Sequence, residues 1–534
     1  MDRQDRKVAG QSGVNSPRPR PFIRWWPALA ILGVALGVVI WIWFLEDTYR
    51  QERYLQTLSV CAITTGLLLG WCLLWSRLRW GIRLAVLGGF AALVALAALT
   101  LRIRGVTGDV LPVFAWRWRK PPPLTAMSEP GAPAPSRARV QPLTVAVPDG
   151  WPQFLGPHRN GIVPGPRLAR DWVARPPQWV WRQRIGAAWS GFAVARGLAV
   201  TQEQRGPQEL VTCYEALTGK LLWTHADDTR YASTIAGEGP RANPTIDGER
   251  VITAGASGIL NCLNLHTGKL LWSHRVTQEN GGEVPGWGFS VSPLVLEELV
   301  VVAAGGPDGK SLVAYHKGTG QLAWSGGNDR VGFSSPVAHE LGGVRQILLF
   351  GGREINGHDA SSGQLLWHFP WPSDHPHIGI PLQLSGDRVL IGSGYGTGCA
   401  ALQIRRETNG AWTATRVWKS RRLKPKFTNL VQRDGFIYGL DDGILACLDA
   451  ATGEQKWRDG RYGHGQVILV GDLLLVSAEN GEIALVEAVP QEHRQLARFA
   501  ALKAKTWNPP ALAGEFLFLR NDLEAACLRL PLAK

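Results

Sequence analysis

The sequence predicts an all-β eight-bladed β-propeller preceded by an all-α membrane region of three transmembrane helices. Three observations carry this reading. Apolar runs without a charged residue occupy 25–45, 54–75 and 84–101, each about long enough to cross a hydrocarbon core roughly 30 Å thick. A unit ending in Trp recurs from Trp181 onward with a mean spacing of about 45 residues, in the range of propeller blades. The 534 residues include 24 Trp and 62 Gly but only 8 Tyr and 2 Met, a composition suited to short strands and tight turns.

The membrane region comes first. Trp25, Trp26, Trp41, Trp43, Trp75 and Trp80 cluster near the run ends, as interfacial aromatics do. Arg3, Arg6, Lys7, Arg18, Arg20 and Arg24 precede the first run, and Arg77, Arg79 and Arg83 lie between the second and third. The positive-inside rule therefore places a basic N-terminus, 1–24, in the cytoplasm and everything after the third span outside. Residues 25–104 are read as the helical region. Residues 105–150 are read as a Pro-rich linker, because eight prolines between Pro121 and Pro148 favour an extended, semi-rigid spacer. Residues 151–534 are read as the propeller. The expected location is the inner membrane, multi-pass, with the propeller on the periplasmic or extracytoplasmic side.

The formal charge is +14, but residues 1–150 hold 18 Lys/Arg against 8 Asp/Glu, whereas the remainder holds 39 against 35. The basic excess thus belongs to the membrane flanks, and no nucleic-acid partner is expected.

The repeat is explicit. CYEALTGKLLW ends at Trp223, CLNLHTGKLLW at Trp272, AYHKGTGQLAW at Trp324, GHDASSGQLLW at Trp367 and CLDAATGEQKW at Trp457. A copy with its turn lengthened by 407–410 ends at Trp418, and Trp181 stands ahead of the series. Behind it, Phe499 is read as occupying the Trp position. Each unit reads as a four-stranded meander with Thr-Gly at the last turn, where Gly takes a positive φ without a Cβ clash. The final segment supplies three strands and the stretch around Trp181 one, so a ring of eight blades closes by joining the two ends.

These residues resemble the pyrroloquinoline-quinone-type (PQQ-like) eight-bladed propellers, through the A-x-T-G-x-x-x-W repeat and the opening segment WPQFLGPHRNG at 151–161. Members of that family are similar to the lipoprotein of the outer-membrane barrel-assembly machinery or to quinoprotein dehydrogenases. The resemblance implies that Trp181, Trp223, Trp272, Trp324, Trp367, Trp418 and Trp457 dock between neighbouring blades, and that each first strand lines a central channel. It specifies fold far better than activity.

Aligning the first strands gives two polar layers. One contains Asn243, Ser292, Ser335, Asn429 and Gln466, with Ser190 and Ile380 at matching places. The other, two positions earlier, contains Arg241, Ser290, His464 and Trp507. These nine polar or aromatic candidates are read as a possible ligand-binding funnel, against the plainer reading of a water-filled channel. A quinone enzyme of the family would use Ca²⁺ held by carboxylate and amide oxygens, an Asp base and a disulfide between adjacent Cys residues. No adjacent Cys pair is present and the aligned channel positions hold no Asp or Glu. No catalytic residue, metal site or cofactor is therefore expected, with PQQ and calcium as the alternative.

Cys213, Cys262 and Cys447 each stand ten residues before their Trp, and Cys399 and Cys527 fall on other third strands. They are read as small core residues. Cys61 and Cys72 are placed in the second span. His375 and His377 are read as a loop, Trp287 as either a rim packing residue or an exposed recognition aromatic, and Thr-Gly-Lys as a turn, since it lacks phosphate-loop spacing. The function expected is a membrane-anchored binding or scaffold module for an envelope protein, peptide or other ligand. The alternative is a membrane-tethered quinoprotein-type oxidoreductase with a diverged site.

Overall fold

The computed structural model describes residues 23–45, 48–118 and 150–533. Nearly all of the basic N-terminus and of the Pro-rich stretch lies outside the described residues. The chain forms two compact units. Among the described residues, one holds 23–45, 48, 52–102 and 116–118; the other holds 49–51, 103–115 and 150–533.

In the first unit, α1 (Trp26–Phe44), α2 (Arg50–Leu74) and α3 (Trp80–Thr100) are each long and apolar enough to cross a membrane, with mean hydropathies of 2.3, 1.9 and 2.2. Few of their residues are buried, so the apolar surface faces outward, as lipid-facing helices require. Polar groups are satisfied along the way: the Trp43 indole donates to Thr57 Oγ1 at 3.2 Å, and that of Trp71 to Arg24 O at 3.0 Å. Cys61 is exposed and Cys72 buried. The three apolar helices suggest a membrane protein.

The linker reading is corrected for its first residues. Two strands, Leu101–Val106 and Pro112–Trp116, pair as a hairpin. The prolines that argue for a spacer begin only at Pro121, and short apolar/polar alternation ahead of them is strand-forming.

The second unit is a ring of eight four-stranded antiparallel blades. Blades one to seven span 193–227, 245–275, 294–326, 337–370, 382–420, 431–461 and 466–500. The eighth combines Ala511–Ala513, Phe516–Arg520 and Glu524–Arg529 with Gln178–Arg184, which pairs with the last of these. Ring closure by the two ends is thus as the repeat arithmetic predicts. First strands of neighbouring blades contact one another between blades eight and one, one and two, two and three, and six and seven.

The motif TGKLLW now has a mechanical meaning. In each copy the Thr or Ser hydroxyl accepts the backbone N–H of the residue after the glycine, as Thr218 does from Lys220 at 3.2 Å and Thr267 from Lys269 at 3.3 Å. Both lysines are exposed. Next comes a β-bulge in every blade: Tyr214 pairs with Leu221 but Cys213 with Trp223, so Leu222 is skipped. The extra residue re-aims the strand. It places Trp opposite a small partner: Cys213, Cys262, Ala314, Gly357, Ala401, Cys447 or Cys527.

The indole then reaches the next blade. Trp181, Trp223, Trp272, Trp418 and Trp457 donate to the carbonyls of Ala216, Leu265, Lys317, Ala450 and Val489 at 2.7–3.1 Å. For Trp181, Trp223, Trp272, Trp324 and Trp418 the turn glycine of that blade forms the platform. A Cβ on Gly219 would lie 2.8 Å from Trp181 Cδ2, and one on Gly320 2.8 Å from Trp272 Cγ.

Blades five, seven and eight depart from this; blade seven receives Trp457 on the carbonyl of Val489, in a turn without glycine. Blade five has the lengthened turn and offers no such glycine; Trp367 packs instead on Gly357 of its own blade and donates to Gln346 Oε1 at 2.7 Å. Blade eight has no turn there at all, because its third and fourth strands belong to opposite ends of the chain. The preceding blade accordingly has Ala497, not Phe499, at the position after the bulge. Phe499 packs against Trp179, with ring centroids 5.8 Å apart. The blade count is unaffected.

The opening segment closes one end of the channel. Trp151 is fully buried. The buried Arg159 donates to Ser292 O and Pro293 O, both at 3.0 Å. Ile162–Val163 adds a fifth, parallel strand to the innermost strand of blade seven.

Candidate functional site

The first polar layer forms a belt of hydrogen bonds that joins all eight blades. Gly191 N donates to Asn243 Oδ1 (2.8 Å), Asn243 N to Ser292 Oγ (2.9 Å), and Ser292 N to Ser335 Oγ (2.9 Å). Ser334 Oγ donates to Gly379 O, and Ile380 N to Asn429 Oδ1. Gln466 Nε2 bridges Phe427 O and Trp507 O, and Asn508 Nδ2 reaches Ala188 O and Ser190 O. First strands near a propeller axis have no neighbour strand on their inner side. Short polar side chains from the next blade supply the missing partners for their buried backbone groups.

The second layer is less uniform. Arg241 donates to Ala236 O (2.8 Å) and Gly237 O (3.1 Å) and stacks on Tyr231 at 4.3 Å. Burial lowers its pKa to about 10. Ser290 Oγ donates to Phe333 O. Trp287 packs on the same rim against Phe333, at 5.5 Å. His377 is buried, stacked on Phe350 at 4.3 Å and bonded to Gly351 O, while His375 stacks on Tyr395. Those two histidines are not brought to a common ligand.

His464 and Trp507 are different, because the structure brings them to the same place with Lys426, Lys505 and Glu479. Together they form the channel mouth opposite the opening segment. Lys505 Nζ lies 3.8 Å from the Trp507 ring centroid and 4.7 Å from that of Trp189. Lys426 Nζ lies 4.7 Å from Tyr395 and 5.4 Å from Phe427. Aromatic faces stabilise the ammonium groups where water is scarce. Desolvation still pulls both lysines down to about 8.

The mouth holds the hairpin tip, residues 106–110. Lys505 donates to Val106 O at 2.8 Å, and Lys426 to Gly108 O and Gln51 Oε1. Gly108 N donates to Glu479 Oε1 at 2.6 Å, an oxygen that also accepts from the Trp507 indole at 2.9 Å. His464 Nε2 meets Asp109 Oδ1 at 2.9 Å, and Arg50 meets the other carboxylate oxygen at 3.2 Å. Burial raises the Asp109 pKa, but the hydrogen bond and charge of His464, with Arg50 and Lys426, outweigh it and hold the carboxyl below its usual range.

Lys426, Lys505 and Glu479 escape the sequence alignment. The lysines lie three residues ahead of Asn429 and Asn508, one step outside the aligned layers. For Asp109 no local signal exists, since its partner His464 is 355 residues away.

A quinone with its calcium ion would need converging carboxylate and amide oxygens. Among the described residues, no group of three or more His, Cys, Asp or Glu side chains could hold a metal ion. The Asn243 and Asn429 carbonyl oxygens are engaged between blades, and Glu479 is engaged by Gly108 and Trp507. This donor set does not fit that group. The five propeller cysteines are buried, and burial pushes Cys213, Cys262, Cys399 and Cys447 up to about 12, leaving inert neutral thiols.

Comparison with known proteins agrees with this architecture. Residues 207–459 match the family described as outer membrane protein assembly factor BamB. BamB from Moraxella catarrhalis is similar in structure, with a TM-score of 0.50 at 16% identity over 66% of this chain and 100% of that one. Quinohemoprotein alcohol dehydrogenase from Comamonas testosteroni is similar with a TM-score of 0.51 at 12% identity, over 71% of this chain and 80% of that one. No curated protein matches the sequence. The ring is an eight-bladed β-propeller whose residues 207–459 match the BamB family model, and three membrane-length helices precede it in the chain.

Proposed function

We propose that the protein is a membrane-anchored binding module whose propeller, on the extracytoplasmic side of the inner membrane, recognises an envelope protein or peptide at its channel mouth. One observation carries this reading: the mouth grips a segment of polypeptide by its main chain. Two lysines take carbonyls 106 and 108, Glu479 takes the N–H of 108, and His464 takes one acidic side chain. That is peptide-recognition chemistry, with backbone groups giving affinity and one side chain giving selectivity. The likeness in fold to BamB, whose family is described as an outer membrane protein assembly factor, supports a protein partner by analogy. The side of the membrane rests on the arginine-rich flanks.

A photo-cross-linking residue at Trp287, on the mouth rim, tests the proposal in intact membranes. The same residue at Asp387, in a turn of blade five, is the control. A discrete adduct from the first position only is expected. No adduct, or the same adducts from both, overturns the mouth as the binding face. Stoichiometric uptake of PQQ with Ca²⁺ by the purified protein, with dye reduction on adding an alcohol, would overturn the binding reading in favour of the oxidoreductase.

A further inference from the structure

The mouth is a complete recognition site, and its occupant is part of the same chain. We propose that residues 106–110 act as a built-in ligand, and that the partner displaces them by presenting the same chemistry, an exposed tight turn carrying Gly-Asp. This rests on the reading of the mouth as a peptide-binding face.

The chemistry of the mouth limits what can sit there. Lys426 is buried and Lys505 partly buried. Without acceptors their ammonium groups would stand desolvated and unpaired, which is costly. Two carbonyl oxygens two residues apart meet that need. Glu479 selects a backbone donor between them. His464 and Arg50 then require a carboxylate on the following residue. No room exists for a side chain at the central position, since a Cβ on Gly108 would run into the His464 ring. The site therefore reads a carbonyl, one intervening residue, glycine and aspartate.

The resident turn is held tightly but not at ease. Thr107 N donates to Leu111 O, and Val110 N to Thr107 O, both at 2.9 Å. Val110 has φ +64, a conformation unfavourable for a β-branched residue. Such strain persists where surrounding contacts over-determine it. A partner turn with glycine at the last position would make the same mouth contacts without that strain, so displacement is chemically reasonable.

The test uses the full chain in detergent micelles and a fluorescent cyclic peptide bearing residues 104–112. Fluorescence polarisation reads binding. Gly108→Ala evicts the resident tip by its clash with His464. Asp109→Lys evicts it independently, by placing an ammonium against His464, Arg50 and Lys426. If the tip occupies the mouth at least nine-tenths of the time, either release raises peptide affinity about tenfold or more over wild type. Adding Lys426→Ala to a release variant abolishes the gain, and so does a peptide with Asn in place of its Asp.

Equal affinity for wild type and both release variants overturns self-occupancy. No binding to either, with cooperative unfolding intact, makes the tip a structural plug only and overturns the proposal. Binding indifferent to the Asp-to-Asn change overturns the recognition rule. If Trp287 cross-links a partner while the peptide fails in every variant, the binding module stands and the built-in ligand falls.

Discussion

Gly219→Ala separates the two reasons a glycine stands in the TGKLLW turn. Gly219 has φ +67, which costs an L-residue about 1–2 kcal/mol. Its Cβ would also sit 2.8 Å from Trp181 Cδ2 and 3.1 Å from Cγ, and forcing an extra carbon into a packed contact costs about 1–3 kcal/mol. The sum is about 2–5 kcal/mol. Gly206 is the control: φ is +57 and nothing lies within 4 Å of its Cβ, so Gly206→Ala should cost about 1–2 kcal/mol. In a Trp181→Ala background the clash disappears, and Gly219→Ala should fall to the same about 1–2 kcal/mol. Urea unfolding of the full chain in micelles, followed by far-ultraviolet circular dichroism, reads wild type and all four variants without relying on the tryptophan removed. Equal costs for Gly219→Ala and Gly206→Ala in the wild-type background, or no change on removing Trp181, would refute the platform argument.

Three further outcomes are expected. Glu209 is buried, and desolvation raises its carboxyl to about 7. The native state therefore holds this proton to higher pH than the unfolded chain, and the associated stability is full below about 4.5 and lost as pH rises through 7. Glu209→Gln should be stabilising by about 2–3 kcal/mol at pH 8 and near neutral at pH 4, and urea midpoints at both values check the sign. Glu203→Gln should destabilise by about 3–5 kcal/mol in the same assay, because Arg205, bonded to Glu203 at 2.8 Å, and the nearby buried Arg520 lose their counter-charge. Trp223→Phe should cost about 1 kcal/mol more than Trp324→Phe: the Trp223 indole donates to Leu265 O at 2.8 Å, whereas the buried Trp324 N–H has no hydrogen-bond partner among the described residues. Equal costs would place the docking energy in ring packing alone.

Several features are local and so are legible in the amino-acid order. A Thr-Gly turn, a bulged Leu and a Trp lie within six residues, and their spacing survives degenerate copies, which is why blade number and the closing blade follow from counting. Apolar length alone marks the three helices. Phe499 shows the limit of counting: an aromatic near the right position is not the residue after the bulge, because the next blade has no turn to receive one. The polar strand starts are visible as residue types, but not their partners. Asn243 and Ser292 bond across blades some 49 residues apart, and only ring closure sets which blades adjoin. The mouth lies furthest from the sequence. Asp109, Glu479, Lys426 and Lys505 come from four distant segments, each unremarkable alone. The chain by itself determines the repeat, since turn, bulge and Trp act over a few bonds. Tertiary structure alone decides the site, since burying two lysines against aromatic faces and giving them carbonyls to hold requires the ring and the hairpin tip to meet.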